Sequence, residues 1–124
     1  LVSFSFLDSP GGLHTLMGDT PEECAKEVAQ AGGNGIGANC GELDLLKYPE
    51  LAARYRETVS IPVLVQPNAG KPKLLGKKAI YDLPTDVFAQ VIKDCVDAGA
   101  TMVGGCCGTS REHIKKTCEL FLKR

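Results

Sequence analysis

The segment Gly104-Gly105-Cys106-Cys107-Gly108-Thr109 places two adjacent cysteines after an apolar run and directly before a helix start. Neighbouring cysteines seldom bridge each other, because their side chains leave consecutive backbone positions and the resulting ring is strained. On a turn freed by glycine, both sulfurs can instead face one metal ion. A third cysteine, Cys40, ends another apolar run, Gly35-Ile36-Gly37-Ala38-Asn39. The remaining three, Cys24, Cys95 and Cys118, recur at helical spacing among apolar neighbours such as Val28, Ile92 and Ile114, and read as packed core thiols.

Three thiolates converging on one ion suit zinc, which binds sulfur at about 2.3 Å in a tetrahedral shell. Structural zinc sites close with four protein ligands, whereas catalytic sites keep a place for water or substrate. With only Cys40, Cys106 and Cys107 outside the helical stripes, the fourth place stays open. Three negative sulfurs over-neutralise the dication and make it a weak activator of water. They suit thiol chemistry better. A substrate thiol entering the open place loses its proton and keeps enough electron density to attack an electrophilic methyl group.

Bringing sulfurs together from distant parts of a chain requires a fold that gathers its loops at one end. Short β-like runs here alternate with amphipathic helical runs, which marks an α/β chain with parallel strands and crossover helices. Four βα units are predicted. Leu1 to Phe6 alternates strictly and reads as the first strand, followed by a turn at Pro10-Gly11-Gly12. Its helix starts at Thr20-Pro21-Glu22-Glu23, with Thr20 as cap and Glu23 completing a capping box. The second unit runs from Gly35–Cys40 into a helix over about Leu43 to Thr58, with Leu45, Leu46, Leu51, Ala52 and Tyr55 inward and Pro49 dividing it or starting its longer part.

The third strand is Ile61 to Gln66, followed by a long loop from Pro67 to about Leu83 and a helix from Thr85 to Ala98 that Gly99 ends. Val87, Phe88, Val91, Ile92, Cys95 and Val96 form its inward face. The fourth strand, Thr101 to Gly105, leads to a helix capped by Thr109 with Glu112 in the box position, burying Ile114, Cys118, Phe121 and Leu122. Loops in such units gather at the carboxyl ends of the strands. Cys40, Cys106 and Cys107 all lie there, together with Asp8, Asn39, Asn68 and Thr109.

A length of 124 residues allows one domain, and 44% apolar content supports a packed core without disulfide staples. The cysteines therefore read as thiols of a reduced, cytoplasmic setting. A net charge of -1 gives no electrostatic case for nucleic acid, and Lys71, Lys73, Lys77 and Lys78 read as a solvated loop. No apolar run approaches the roughly 20 residues of a membrane span, and no signal peptide is expected. His113 reads as a surface residue of the first helical turn, while His14, in a Gly-rich loop, is a candidate to line a site. A phosphate cradle before the last helix would not call for two cysteines, and a redox pair at Cys106-Cys107 would need the strained bridge.

Three blocks, Gly37-Ala38-Asn39-Cys40, Gln66-Pro67-Asn68-Ala69-Gly70-Lys71-Pro72 and Gly104-Gly105-Cys106-Cys107-Gly108-Thr109, together resemble the homocysteine S-methyltransferase family, in order and over nearly the whole chain. The resemblance implies a (β/α)8 barrel, zinc held by Cys40, Cys106 and Cys107, and a homocysteine thiol activated for methyl transfer to form methionine. It also implies that Asn68 lies beside the metal, its amide oxygen filling the open place or meeting the substrate. Asn39 is expected to order the loop and is a second candidate for substrate binding.

A full barrel takes eight units and about 250 residues, so residues 1–124, as a single partial domain, resemble the carboxyl-terminal half of one. The implied partners are the amino-terminal half or a second copy of the chain. The methyl donor, a methyl-corrinoid or another, is supplied elsewhere. The alternative is a non-catalytic zinc-binding half-barrel serving as a structural or assembly module, a role suited to strand edges that lack neighbours.

Overall fold

A computed structural model describes residues 1–123. In chain order the elements are β1 (Val2–Phe4), β2 (Leu7–Ser9), β3 (Gly12–His14), α1 (Pro21–Gln30), β4 (Ile36–Asn39), a 3-10 turn (Leu45–Lys47), α2 (Tyr48–Thr58), β5 (Val63–Gln66), β6 (Lys73–Leu75), β7 (Lys78–Ile80), α3 (Thr85–Asp97), β8 (Met102–Val103) and α4 (Arg111–Leu122). Four of the strands form one parallel sheet in the order β1-β4-β5-β8. Ile36 pairs with Val2 on one side and Val63 on the other, and Val65 pairs with Ala38 and Val103. Because spatial order follows chain order, each crossover runs the same way, and α1 to α4 pack in succession along the sheet. This is the α/β architecture of four βα units that the sequence predicts, of the kind that builds half of a (β/α)8 barrel.

The core forms where strand alternation meets helical stripes. Ile36, Ala38, Val63 and Val65 are buried in one cluster with Leu51, Tyr55, Phe88 and Ile92. Each of the larger of these side chains contributes roughly 1.5–3 kcal/mol by leaving water. Cys24 and Cys95 belong to the same cluster, and burial pushes their thiols up to about 11 and about 12. They remain neutral packing groups at physiological pH.

The first helix starts as its sequence requires. Thr20 accepts from the Glu23 amide at 3.2 Å while the Glu23 carboxylate accepts from the Thr20 amide at 2.9 Å, with Pro21 in the first turn. Pro49 begins α2 rather than dividing a longer helix, and Leu46, on the short turn before it, is exposed instead of buried. Similarly, α3 buries Phe88, Ala89, Val91, Ile92 and Cys95 but leaves Val87 exposed.

Two connecting segments carry structure of their own. The first strand stops at Phe4, because Phe6 turns into the core, and the chain then forms the β2–β3 hairpin. The loop from Pro67 to Leu83 contains an antiparallel hairpin, β6–β7, turning at Gly76 with φ 64. All six of its strand residues are exposed, so no burial pattern announces it.

The last helix differs from expectation by one residue. Ser110, not Thr109, is its cap, and His113, not Glu112, closes the box. His113 is buried rather than on the surface, with Nδ1 on Ser110, Nε2 at 3.2 Å from the Leu83 carbonyl and its ring edge-on to Phe88. Cys118, Ile114 and Leu122 are exposed, and Thr117 and His113 take the buried positions. No helix among the described residues is long and apolar enough to cross a membrane.

Candidate metal centre

The carboxyl ends of β4 and β8 bring Cys40, Cys106 and Cys107 together, with all three sulfurs within 4.8 Å of one another. Zinc–sulfur bonds of about 2.3 Å set tetrahedral ligand sulfurs about 3.8 Å apart. Cys40 Sγ and Cys107 Sγ stand 3.7 Å apart, so the donor set fits one zinc ion. Cys40 and Cys106 are partly buried and Cys107 is exposed, which leaves the cluster open on one side.

The cysteine loops are fixed through the segment that follows β5. The Cys106 amide donates to the Pro67 carbonyl at 2.9 Å, and the Ala69 amide donates to the Cys107 carbonyl at 2.9 Å. Between these two bonds, the Cys107 amide donates to Asn68 Oδ1 at 3.0 Å, and Asn68 Nδ2 donates to the Gly41 carbonyl at 3.2 Å. Tyr48, fully buried at the start of α2, donates its hydroxyl to the Cys40 carbonyl at 2.9 Å. Each thiol thus sits on a backbone whose polar groups are already engaged, and little rearrangement is needed to present the sulfurs together.

Cys40 has φ 53 and is the one non-glycine residue in the left-handed region among the described residues. That conformation costs roughly 1–2 kcal/mol for a residue with a Cβ. It turns the chain sharply at the end of β4 and lets the Gly41 amide approach the Cys40 sulfur. This amide, with the Cys107 and Cys106 thiols and the Asn68 side chain, holds the Cys40 thiol below the ordinary thiol range. Cys107 is pushed the other way, by hydrogen bonding to Cys40 and Cys106 and by their charge. Cys40 therefore ionises before Cys107, and each further negative sulfur needs a cation to offset it.

Glycine is required at two places in the double-cysteine loop. A Cβ at Gly108, which has φ 77, would overlap the Tyr81 ring, and a Cβ at Gly105 would overlap the Thr109 side chain. The Thr109 hydroxyl oxygen is buried without a hydrogen-bond partner among the described residues.

A cleft of about 1020 Å³ opens beside the sulfurs, lined in part by Cys40, Cys107, Asn68 and Tyr81. Asp8 lies on its wall, but His14 does not. The His14 ring is held within the β2–β3 hairpin, 2.9 Å from Ser9 Oγ and 2.8 Å from the Thr15 carbonyl. Asn39 turns its amide toward β1, where Oδ1 accepts from Ser3 Oγ at 2.6 Å. Tyr48 and Tyr81 are site residues with no signal of their own in the sequence, since one falls in a helical stripe and the other follows an exposed hairpin.

The homocysteine S-methyltransferase family profile matches residues 1–121. The chain belongs to the homocysteine S-methyltransferase family. A methionine synthase from Mycobacterium leprae (strain TN) is 34% identical to this family member over 104 residues, which are 82% of the chain and 8% of that protein. Its counterpart from Mycobacterium tuberculosis (strain ATCC 25618 / H37Rv) is 35% identical with the same coverage. The chain therefore spans 8% of the length of the methionine synthases it matches. The fold resembles that of the homocysteine methyltransferase MmuM from Escherichia coli in its oxidised form, with TM-score 0.64 and 20% identity, over 90% of this chain and 32% of that one.

Proposed function

We propose that this chain supplies the zinc-holding, thiol-activating part of a homocysteine S-methyltransferase, acting with the amino-terminal part of a barrel. The observation that carries the reading is the meeting of Cys40, Cys106 and Cys107, from the ends of two different strands, within 4.8 Å beside an open cleft. Zinc bound by these three sulfurs supplies the positive charge that lowers the pKa of a substrate thiol and keeps it nucleophilic at neutral pH.

The chain's own residues do the rest. Asn68, Pro67 and Ala69 hold the double-cysteine loop against the end of β5, which fixes the direction in which the sulfurs face. Tyr48 holds Cys40 in its turned conformation. The cleft leaves room for a substrate to approach the exposed side of the cluster, where its thiol gives up its proton and the sulfur turns toward an incoming methyl group. Asn68 contributes from beside the sulfurs, first by positioning Cys107 and then by bordering the incoming thiol. The methyl donor comes from outside the chain, and a methyl-corrinoid accords with the kinship to methionine synthases.

X-ray absorption on the zinc-loaded chain tests the reading. Three sulfur neighbours should become four when homocysteine is added, and methyl transfer should appear when the amino-terminal part and a donor are present. Four sulfurs before addition, with no change afterwards, would mean a closed centre and favour the structural alternative, a zinc-bearing assembly module.

A further inference from the structure

The β6–β7 hairpin stands beside the cleft, and Lys71, Pro72 and Tyr81 at its base form part of the cleft wall. None of its six strand residues is buried, although Leu74 and Leu75 are large and apolar, at 78% and 66% exposed. Lys73 is held by Asp82 at 2.7 Å, which leaves Lys71, Lys77 and Lys78 without an ion-pair partner among the described residues. Leucines that bury nothing and a surplus of positive charge thus share one element, a combination that marks a docking surface rather than part of the core.

The other wall of the cleft has the matching character. Glu42, Asp44 and Glu50 line it from the segment after β4 and from α2, and Asp8 lines it from β2. Lys47 offsets Asp8 at 3.9 Å and Glu50 at 3.7 Å, whereas Glu42 and Asp44 have no ion-pair partner among the described residues. Leu46 lines the same wall and is 70% exposed. Sheet order sets the two walls apart. The acidic wall grows from the ends of β1 and β4, whereas the hairpin leaves the end of β5 and rests through Tyr81 on the Gly108 turn beyond β8.

We propose that the cleft mouth is an interface with a second copy of this chain, in which the hairpin of each molecule lies on the acidic wall of the other. A two-fold rotation about an axis in the plane of the mouth brings two mouths face to face and exchanges their sides. A basic hairpin carrying Leu74 and Leu75 then meets an acidic wall carrying Leu46, twice in one closed pair. Opposite charges fix the register, and the leucines supply the apolar centre. This pairing is distinct from strand addition at a sheet margin, because it leaves the outer edges of β1 and β8 free. It also covers the cleft, so the exposed Cys107 side of the sulfur cluster is shielded in the pair and open in the single molecule.

Sedimentation velocity of the full chain in reducing buffer tests the pairing. The native chain should form a dimer at low salt and dissociate toward monomer at about 1 M salt, where the screening length falls to about 3 Å. Lys77→Glu with Lys78→Glu turns the hairpin negative. Asp8→Lys with Glu42→Lys turns the wall positive and leaves Asp44 to accept from the Leu46 amide at 2.9 Å. Either double variant alone sets like charges together at both contacts and should raise the dimer dissociation constant by about tenfold or more. An equal mixture of the two should dimerise as tightly as the native chain, since every contact in the mixed pair again joins opposite charges, and that recovery also shows both variants to be folded. A native chain that stays monomeric, or a mixture that associates no better than its components, would overturn the pairing. Association that salt and both double variants leave unchanged would overturn it as well and assign the contact to the sheet margins.

Discussion

The backbone N–H of Cys107 donates to the side-chain oxygen of Asn68 at 3.0 Å, across 39 residues of sequence. The nitrogen of the same side-chain amide donates to the Gly41 carbonyl at 3.2 Å, one residue beyond Cys40. One side chain therefore joins the loops that carry the first and last thiols. Asn68→Ala removes both bonds together and should cost about 1–2 kcal/mol in urea unfolding. Zinc affinity, measured by competition with a chelator, should fall at least about tenfold, the equivalent of one such bond. A variant with native affinity would mean that the two cysteine loops hold their geometry unaided.

The division of the cysteines into two sets is tested by paired substitutions. Cys106→Ser removes one of three converging sulfurs and should abolish tight zinc binding. Cys118→Ser alters an exposed thiol on α4 and should leave one zinc per chain. Equal zinc content in the two variants, by elemental analysis, would refute the assignment.

Gly108 and Gly76 share a left-handed backbone but differ in surroundings. At Gly76 an added methyl meets nothing within 4 Å, so Gly76→Ala should cost only the conformational term, about 1 kcal/mol. At Gly108 the methyl overlaps the Tyr81 ring, which adds about 1–3 kcal/mol of overpacking. Gly108→Ala should also lower zinc affinity, because the ring and the cysteine turn must shift apart. Denaturation midpoints and chelator titrations of the two variants give the comparison directly.

Glu22 on α1 receives Arg54 of α2 through two bonds, at 2.7 Å and 2.9 Å, and the hydrogen bond from Arg54 holds its carboxyl below the ordinary range. The folded pKa lies below the unfolded one. The contribution to stability is therefore present above the unfolded value and is lost as pH falls through the folded value. Glu22→Gln should lower stability at pH 7 by about 0.5–1 kcal/mol, a value limited by solvent screening of a carboxylate that is 37% exposed. The difference from the native chain should shrink as pH falls through the lowered folded value and vanish below it. A difference that persists unchanged in acid would assign the effect to packing rather than charge.

Much of the site was legible because its signals are local. The capping box at Thr20 and Glu23, the strand at Val63–Gln66 and the two cysteine blocks each depend on a few adjacent residues. The face of α4 was not legible, for a related reason. Thr109 and Ser110 are both good caps, and choosing Thr109 starts the helix one residue early, which turns the stripe by about 100°. Of the expected inward set of Ile114, Cys118, Phe121 and Leu122, Phe121 packs against the core while the other three are exposed, and His113 and Thr117 take the buried positions. The hairpin at Lys73–Ile80 leaves no trace in the apolar pattern because it pairs without burying anything. Tyr81 became significant only through its contact with Gly108, which no local pattern encodes.

The sheet ends at β1 on one side and β8 on the other, and each is bonded along one edge only. Val2 is 44% exposed and Met102 39% exposed, so both margins offer apolar side chains as well as free backbone groups. The two margins are complementary in direction, and β8 of one molecule can accept β1 of the next. If the rotation between successive molecules closes, the product is a discrete ring, and if it does not, growth continues without limit. Wherever such pairing forms, part of the folding free energy depends on encounter between molecules. The thermal midpoint of this chain is then a function of its own dilution, and it should climb as the protein is concentrated.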